Sequence, residues 1–568
     1  MRNLPVISTF LMLSFCFSVQ AKPWKLNPEQ IYQKIIQATG VYKPVPIKLT
    51  IQEGQAGLDL SDPRNPQLRM DQKLLNLAEE MGTKGEAFLA FFMAHQAAFY
   101  YNDLGSKPTF FALSNHPKSK GAIIDADRLG VIYAHLAGYP MVNHFVDFLK
   151  AVYQAYDQGR DGFYKERLQF AKKYTLELEK FFLVFETANY LTIIDTLVDQ
   201  SHLYNYVIQS YKGQKIYNNA GVNQFKLYLS KLEEDSLRPD FYYPITLDVK
   251  ADPHEVTRGE IGGNDNTKVD QRFRQSLQYF ENALKADPNY APAYLNLACL
   301  QSARAEVDAA KAVQLLSQAK ANAQRALELA DKVAAKEIAY QTLVTNAKVM
   351  LAIITFQENK STNQRKANKM LVPLLTKQKD FVELNWRIIN NRPPGEIRNF
   401  EKINPDDPSE QIVGIALDNA AKRGKCLDNS DKKYLNGDAK AHLKVEVDKD
   451  QGIVIYLEKI PQQKAPKTTI AHKIVLVQQS KLIYFLKTLP AYGGTTTYTS
   501  KEITPVKLGD NYQKISRIYG LPRQQRSGTL ASVGHTFKIY RGRQIIFQLN
   551  RQFNLTSWLI YEVVPSEK

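Results

Sequence analysis

Between residues 276 and 298 the sequence places small side chains where two helices must touch. Ser276 and Ala283 lie on one helical face with Phe280 between them. Pro288 closes the run, and after Ala291 come Tyr294, Leu297 and Ala298. This spacing lets two antiparallel helices approach closely, with bulky rings seated over small residues and a proline turning the chain. A chain built this way is constrained to stacked helical pairs, each of which buries its core only against its neighbours.

The stretch FENALKADPNYAPAYLNLA resembles the tetratricopeptide repeat. Downstream, Ala319, Ala323 and Ala326 recreate the small-residue helix after an insertion, and Tyr340 to Ile354 reads as the next first helix. Upstream, Tyr217 to Gly221 also fits a first helix. Its partner is delayed by residues 232–268, a Pro/Gly/Asp-rich insertion with a strand-like run from Tyr242 to Val249. The resemblance implies a helical repeat domain over 146–390 that holds other proteins. In such repeats an Asn in the first helix reaches peptide backbone, which marks Asn219 and Asn296; both read equally well as ordinary helix-surface residues.

Residues 85–99 (GEAFLAFFMAHQAAF) and 123–139 (IIDADRLGVIYAHLAGY), with Asn65-Pro66 and Met70 to Leu75 ahead of them, carry a second resemblance. They are similar to the HtpX/BepA-like zinc metallopeptidases, gluzincins with HExxH on a helix. In that motif two histidines one turn apart bind zinc and a glutamate activates the metal-bound water. The family's downstream helix begins with a Glu ligand and continues Ala-Asp-Arg, matched here by Ala126, Asp127 and Arg128. The departures fall on the chemistry. His95 keeps the first ligand position, but Gln96 replaces the catalytic Glu, Phe99 the second His, and Ile123 the ligand Glu. An amide takes no proton from water and a phenyl ring offers zinc no lone pair, so these positions form no zinc site. Asp127 matches a supporting position and is expected to pair with His95. Asp125, Asp127, His116 and His135 are the candidates for a rebuilt site.

Ahead of these regions, Arg2, the apolar run Leu4 to Val19 and Val19-Gln20-Ala21 read as a secretory signal peptide cut after Ala21. The run is short for a spanning helix, which argues against an uncleaved anchor, and no later segment is long enough to span. Of three cysteines, Cys16 falls in the signal, leaving Cys299 and Cys426, whose pairing the sequence does not decide. The net charge of +17 is spread along the chain without a nucleic-acid-binding block; it points to anionic envelope surfaces or acidic partners rather than DNA, or equally to a source whose proteins are basic in general. There is no GxSxG, GxxxxGK[ST] or CxxC.

Residues 391–437 read as a linker. Beyond them, runs such as His442 to Val447, Ile453 to Ile460, His472 to Gln478 and Leu482 to Leu489 alternate like strands. A helix from Tyr512 to Tyr519 is stopped by Gly520 and Pro522, and strands follow. This pattern loosely resembles the small BamE-like envelope modules.

The expected architecture is mainly α: a metallopeptidase-like helical domain (22–145), a tetratricopeptide-like solenoid (146–390) and a C-terminal α+β domain (438–568). The expected function is an exported scaffold or chaperone-like factor, periplasmic or secreted, with no cofactor, whose partners are envelope or secreted proteins. An active periplasmic zinc metallopeptidase with a rearranged metal site is the alternative.

Overall fold

The computed structural model describes residues 26–52, 56–105, 110–111, 117–139, 141–158, 162–194, 200–234, 237, 240–247, 266–334, 338–375, 379–392, 411–412, 415–416, 443–461, 469–478, 481–488, 495–496, 504–520, 524–527, 536–550 and 553–564. The segment read as a signal peptide, most of the stretch read as a linker, Cys426, His116, His254, His442 and His535 lie outside them. The molecule is mainly helical with a C-terminal sheet domain.

The chain begins with α1 (Pro28–Thr39), capped by Asn27, whose side chain accepts the Gln30 amide at 3.0 Å. Three short strands follow: β1 (Lys48–Ile51), β2 (Gly57–Asp59) and β3 (Gln67–Met70). β3 is central, parallel to β1 and antiparallel to β2. Helix α2 (Gln72–Glu80) starts where Asp71 accepts the Leu74 amide at 2.8 Å. Helix α3 (Gly85–Tyr101) is apolar nearly all round and correspondingly buried nearly all round. Helix α4 (Pro117–Leu136) packs along it; the sequence pattern predicts this helix from about Asp125 to Ala137, and it starts eight residues earlier. Their contact depends on a missing side chain, because a Cβ on Gly130 would lie 2.8 Å from the His95 Cα and amide nitrogen.

Helices α5 (Phe145–Ala155), α6 (Gly162–Ile193) and α7 (Ser201–Ile208) complete the first helical body. Its apolar core continues to Ala220, in the first part of α8 (Gln214–Glu234). The core therefore does not divide at residue 145, where the sequence suggests a boundary. A second core begins at Val222 and runs through α9 (Asn266–Ala286), α10 (Ala291–Val307), α11 (Ala312–Ala334), α12 (Ile338–Glu358), α13 (Gln364–Leu371) and α14 (Lys379–Ile389). Consecutive helices from α8 to α13 pack on one another. The small residues explain the closeness: the Ser276 hydroxyl donates to the Gly221 carbonyl at 2.9 Å, and the Phe280 ring fills the space a Cβ on Gly221 would need. Cys299 is a buried thiol, its Sγ 3.6 Å from Met350 Sδ.

A two-residue pair, β4 (Gln411–Ile412) and β5 (Ile415–Ala416), precedes the C-terminal domain. That domain is an eight-stranded antiparallel sheet. In chain order it contains β6 (Leu443–Asp448), β7 (Ile453–Pro461), β8 (Thr469–Gln478), β9 (Lys481–Thr488), then helix α15 (Tyr512–Tyr519), and β10 (Gln524–Ser527), β11 (Thr536–Tyr540), β12 (Ile545–Leu549) and β13 (Leu555–Val564). Spatially the order is β10-β11-β12-β13-β9-β8-β7-β6. The period of two assigns each strand's residues to two cores. Ile455, Leu476, Phe485 and Leu559 join the first helical body, whereas Tyr456, Val475, Tyr484 and Trp558 pack with Ile515 and Ile518 of α15.

The sheet's docking on α6 is also polar. Lys459 meets Glu179 at 2.5 Å, Lys487 meets Glu186 at 3.4 Å, and His202, from α7, meets Asp448 at 2.7 Å. No helix among the described residues is long and apolar enough to cross a membrane.

Candidate functional site

The residues singled out from the sequence fall in two places: helices α3 and α4, and the second helical body. In the first, the expected pair is present. His95 Nδ1 lies 3.1 Å from Asp127 Oδ1, both side chains fully buried between α3 and α4. The carboxylate has a second partner that the sequence did not disclose. Arg167, from α6, donates to both Asp127 oxygens at 2.7 Å, to the Phe110 carbonyl at 2.6 Å and to the Tyr153 hydroxyl at 3.2 Å. Burial alone would raise the Asp127 pKa. The charge and hydrogen bonds of Arg167, with His95, outweigh it and hold the carboxyl below its usual range.

The other motif positions fill the surroundings. Phe99 and Phe110 stand against His95, ring centroids 5.5 and 4.8 Å away, and Ile123 is buried. The Gln96 side-chain carbonyl accepts the Leu58 amide at 3.2 Å, which ties α3 to β2. These residues do not fit a zinc ion: a fixed guanidinium already neutralises the carboxylate, and aromatic rings occupy the space around the histidine.

Of the rebuilding candidates, His116 lies outside the described residues, Asp127 is held by Arg167, and the other two are engaged elsewhere. Asp125 is half-exposed, 3.8 Å from Arg128, and His135 stacks on Phe182 at 3.6 Å. No group of three or more His, Cys, Asp or Glu side chains suited to a metal comes together among the described residues. A cavity of 260 Å³ beside α4 is lined by Asn102, Asp125, Arg128, Tyr133 and Lys212 among others, and none of the five motif positions reaches it.

In the second helical body, residues 240–247 lie across α8, α10, α12 and α14, the alternate helices of the stack. The sequence suggests a strand from Tyr242, and within the described part the chain joins no ladder. It folds back at Pro244, where the Ile245 amide donates to the Tyr243 carbonyl at 2.9 Å, and its backbone partners are side chains. Asn296 of α10 accepts the Thr246 amide at 2.8 Å and donates to the Thr246 carbonyl at 2.7 Å. Asn218 of α8 donates to the Thr246 and Leu247 carbonyls at 3.0 and 2.6 Å and accepts from Asn296 at 2.8 Å.

Asn385 of α14 repeats the arrangement at Tyr242, accepting its amide at 3.0 Å and donating to its carbonyl at 2.9 Å. Glu306 of α10 takes the Asp240 amide at 2.8 Å and the Tyr243 hydroxyl, and Gln357 of α12 donates to Glu306 at 3.0 Å. Burial pushes the Glu306 carboxyl up to about 7.

Of the two asparagines singled out from the sequence, Asn296 therefore holds backbone, and the backbone is the chain's own. Asn219 does not take part: it is buried beside the segment's partner Asn218, and its Oδ1 meets no donor among the described residues. The reason is angular, since neighbouring positions on a helix point about 100° apart. Asn218 was detectable only as the adjacent residue. Asn385, Glu306 and Gln357 sit outside the aligned repeat positions and gave no signal. Comparison of the chain with family models, with curated proteins and with solved structures finds no match.

Proposed function

We propose that this protein is an exported, non-catalytic binding scaffold or chaperone-like factor of the cell envelope. In this reading a degenerate metallopeptidase-like domain serves as a structural base and a tetratricopeptide-like solenoid receives segments of envelope or secreted proteins. The observation that carries the reading is the pair of asparagines, Asn296 and Asn385, each bonded to both the amide and the carbonyl of one residue in a non-helical segment. That is recognition of backbone, which any sequence can offer. The Asp127–Arg167 pair supports the non-catalytic half, because it consumes the carboxylate beside His95.

The test combines metal content with holding activity. The protein without its first 21 residues is dialysed against a weak chelator, assayed for zinc, and mixed at equimolar ratio with a chemically unfolded β-rich protein. The expected result is no retained zinc, no cleavage, and suppressed light scattering as the unfolded protein is diluted. About one zinc per chain with cleavage of the unfolded protein would overturn the reading in favour of a peptidase. So would a protein that neither holds zinc nor changes the scattering, since it would have no scaffold activity to explain.

A further inference from the structure

The segment that fills the asparagine-lined groove belongs to the connection between α8 and α9, yet those two helices do not need it to pack. They meet directly through Ser276 on Gly221 and through the Phe280 ring. The segment instead crosses one helix of each successive pair and supplies Phe241, Tyr243, Ile245 and Leu247 to the second core. Its contacts are of two kinds. Asn218, Asn296 and Asn385 read backbone, with no dependence on the side chains of the bound residues. Glu306 and Gln357 meet the Tyr243 hydroxyl, and Glu306 also accepts the Asp240 amide. A helix pair complete in itself, crossed by a segment that seats four side chains in the second core and bonds its backbone to three asparagines, is the arrangement of a binding groove with a tethered occupant.

We propose that residues 240–247 are an intramolecular ligand that closes this groove until a partner displaces them, and that the partner presents a segment of the same chemistry. That chemistry is a non-helical run rich in aromatic and branched side chains, uncharged from Phe241 to Leu247, with a tyrosine followed by proline. The proposal rests on the scaffold reading above and adds its regulation and its preferred ligand. Tethering gives the occupant an effective concentration of about 1 mM, so a free peptide with an intrinsic Kd on the order of 10 µM binds the closed protein about 100-fold more weakly than the open one.

The probe is a fluorescein-labelled peptide of residues 238–250 (RPDFYYPITLDVK), followed by anisotropy. It is titrated into the intact chain and into a chain opened by Tyr243→Ser with Ile245→Ser, whose fold is checked by circular dichroism. The opened chain is expected to bind about 100-fold more tightly. Asn296→Ala in that background is expected to abolish binding. A probe with Phe at the Tyr243 position is expected to lose about 10-fold, the effect of one hydrogen bond to a charged group.

Hydrogen exchange on the intact chain needs no substitution. Saturating unlabelled peptide of the same sequence should unprotect the chain's own Tyr242 and Thr246 amides while α10 stays protected. Equal affinity for both chains, or no binding to a folded opened chain together with unchanged exchange, overturns the self-closed groove. A protein that still holds the unfolded β-rich protein in that case leaves the scaffold reading intact, so the two ideas fail separately.

Discussion

At the scale of single residues, the most consequential side chain in the first helical body is Arg167. It is fully buried, and its guanidinium is bonded to both oxygens of the Asp127 carboxylate. Arg167→Met removes that partner and leaves a charge in an apolar setting, a loss expected to lower stability by about 3–5 kcal/mol in urea unfolding. Asp127→Asn with Arg167→Met removes both charges together and is expected to recover much of that loss, which separates charge balance from packing. Gly130→Ala tests the approach of α3 and α4. The added methyl meets the His95 backbone, which cannot swing aside as a side chain would, so a loss of about 1–3 kcal/mol is expected. His95 and Asp127 were legible as a pair because they stand at motif positions of the metallopeptidase resemblance read from the sequence. Arg167 was not, because nothing in the pattern of a 32-residue helix marks which of its basic residues turns inward.

At the scale of elements, legibility followed the strength of the local signal. Helix α10 and its predecessor α9 were readable from small-residue spacing, since close packing forbids larger side chains at Ala283 and Ala298. Helix α4 was expected at Asp125 and begins at Pro117, because the polar residues of its first turns carry no amphipathic period. The run from Tyr242 has strand-like composition, and composition cannot say whether a strand or a set of asparagines satisfies the backbone. Glu306 gives this element a pH dependence. Its pKa rises from the usual carboxylate value to about 7 when the segment covers it. An acid whose pKa is raised on docking favours the docked state while it stays protonated. Docking is therefore expected to weaken as pH rises from about 4.5 to about 7, and to level off above that. Exchange of the Thr246 amide at pH 5.5 and pH 8, corrected for intrinsic rates, checks the direction, and faster corrected exchange at the lower pH would contradict it.

At the scale of the whole molecule, the seam between α6 and the C-terminal sheet carries a cluster of charges. Glu186 faces Lys487, His135 and His472, while Glu179 and Lys459 flank them. Burial lowers the pKa of both histidines to about 4, with Glu186 opposing and Lys487 reinforcing the shift. A histidine whose folded pKa is depressed binds protons first in the unfolded chain. Stability from these two is therefore complete above about pH 6.5 and is lost as pH falls toward 4. The Tm is expected to be lower at pH 5 than at pH 7.5, and replacing both histidines with Gln should reduce that difference. None of this was readable in advance, because the sequence places His135 and His472 in regions that meet only when the sheet docks.

The strand order of that sheet sets a condition on how the protein comes into being. β13 lies between β12 and β9, so it joins the meander of β6 to β9 to that of β10 to β12. While the chain is being made, each half stands with a bare edge until residues 555–564 arrive, and bare edges invite pairing with other chains. A chain cut short before Leu555 keeps its helical bodies and two half-sheets with open rims. The last-made strand thus acts as a seal, and an interrupted copy carries its own mark of incompleteness.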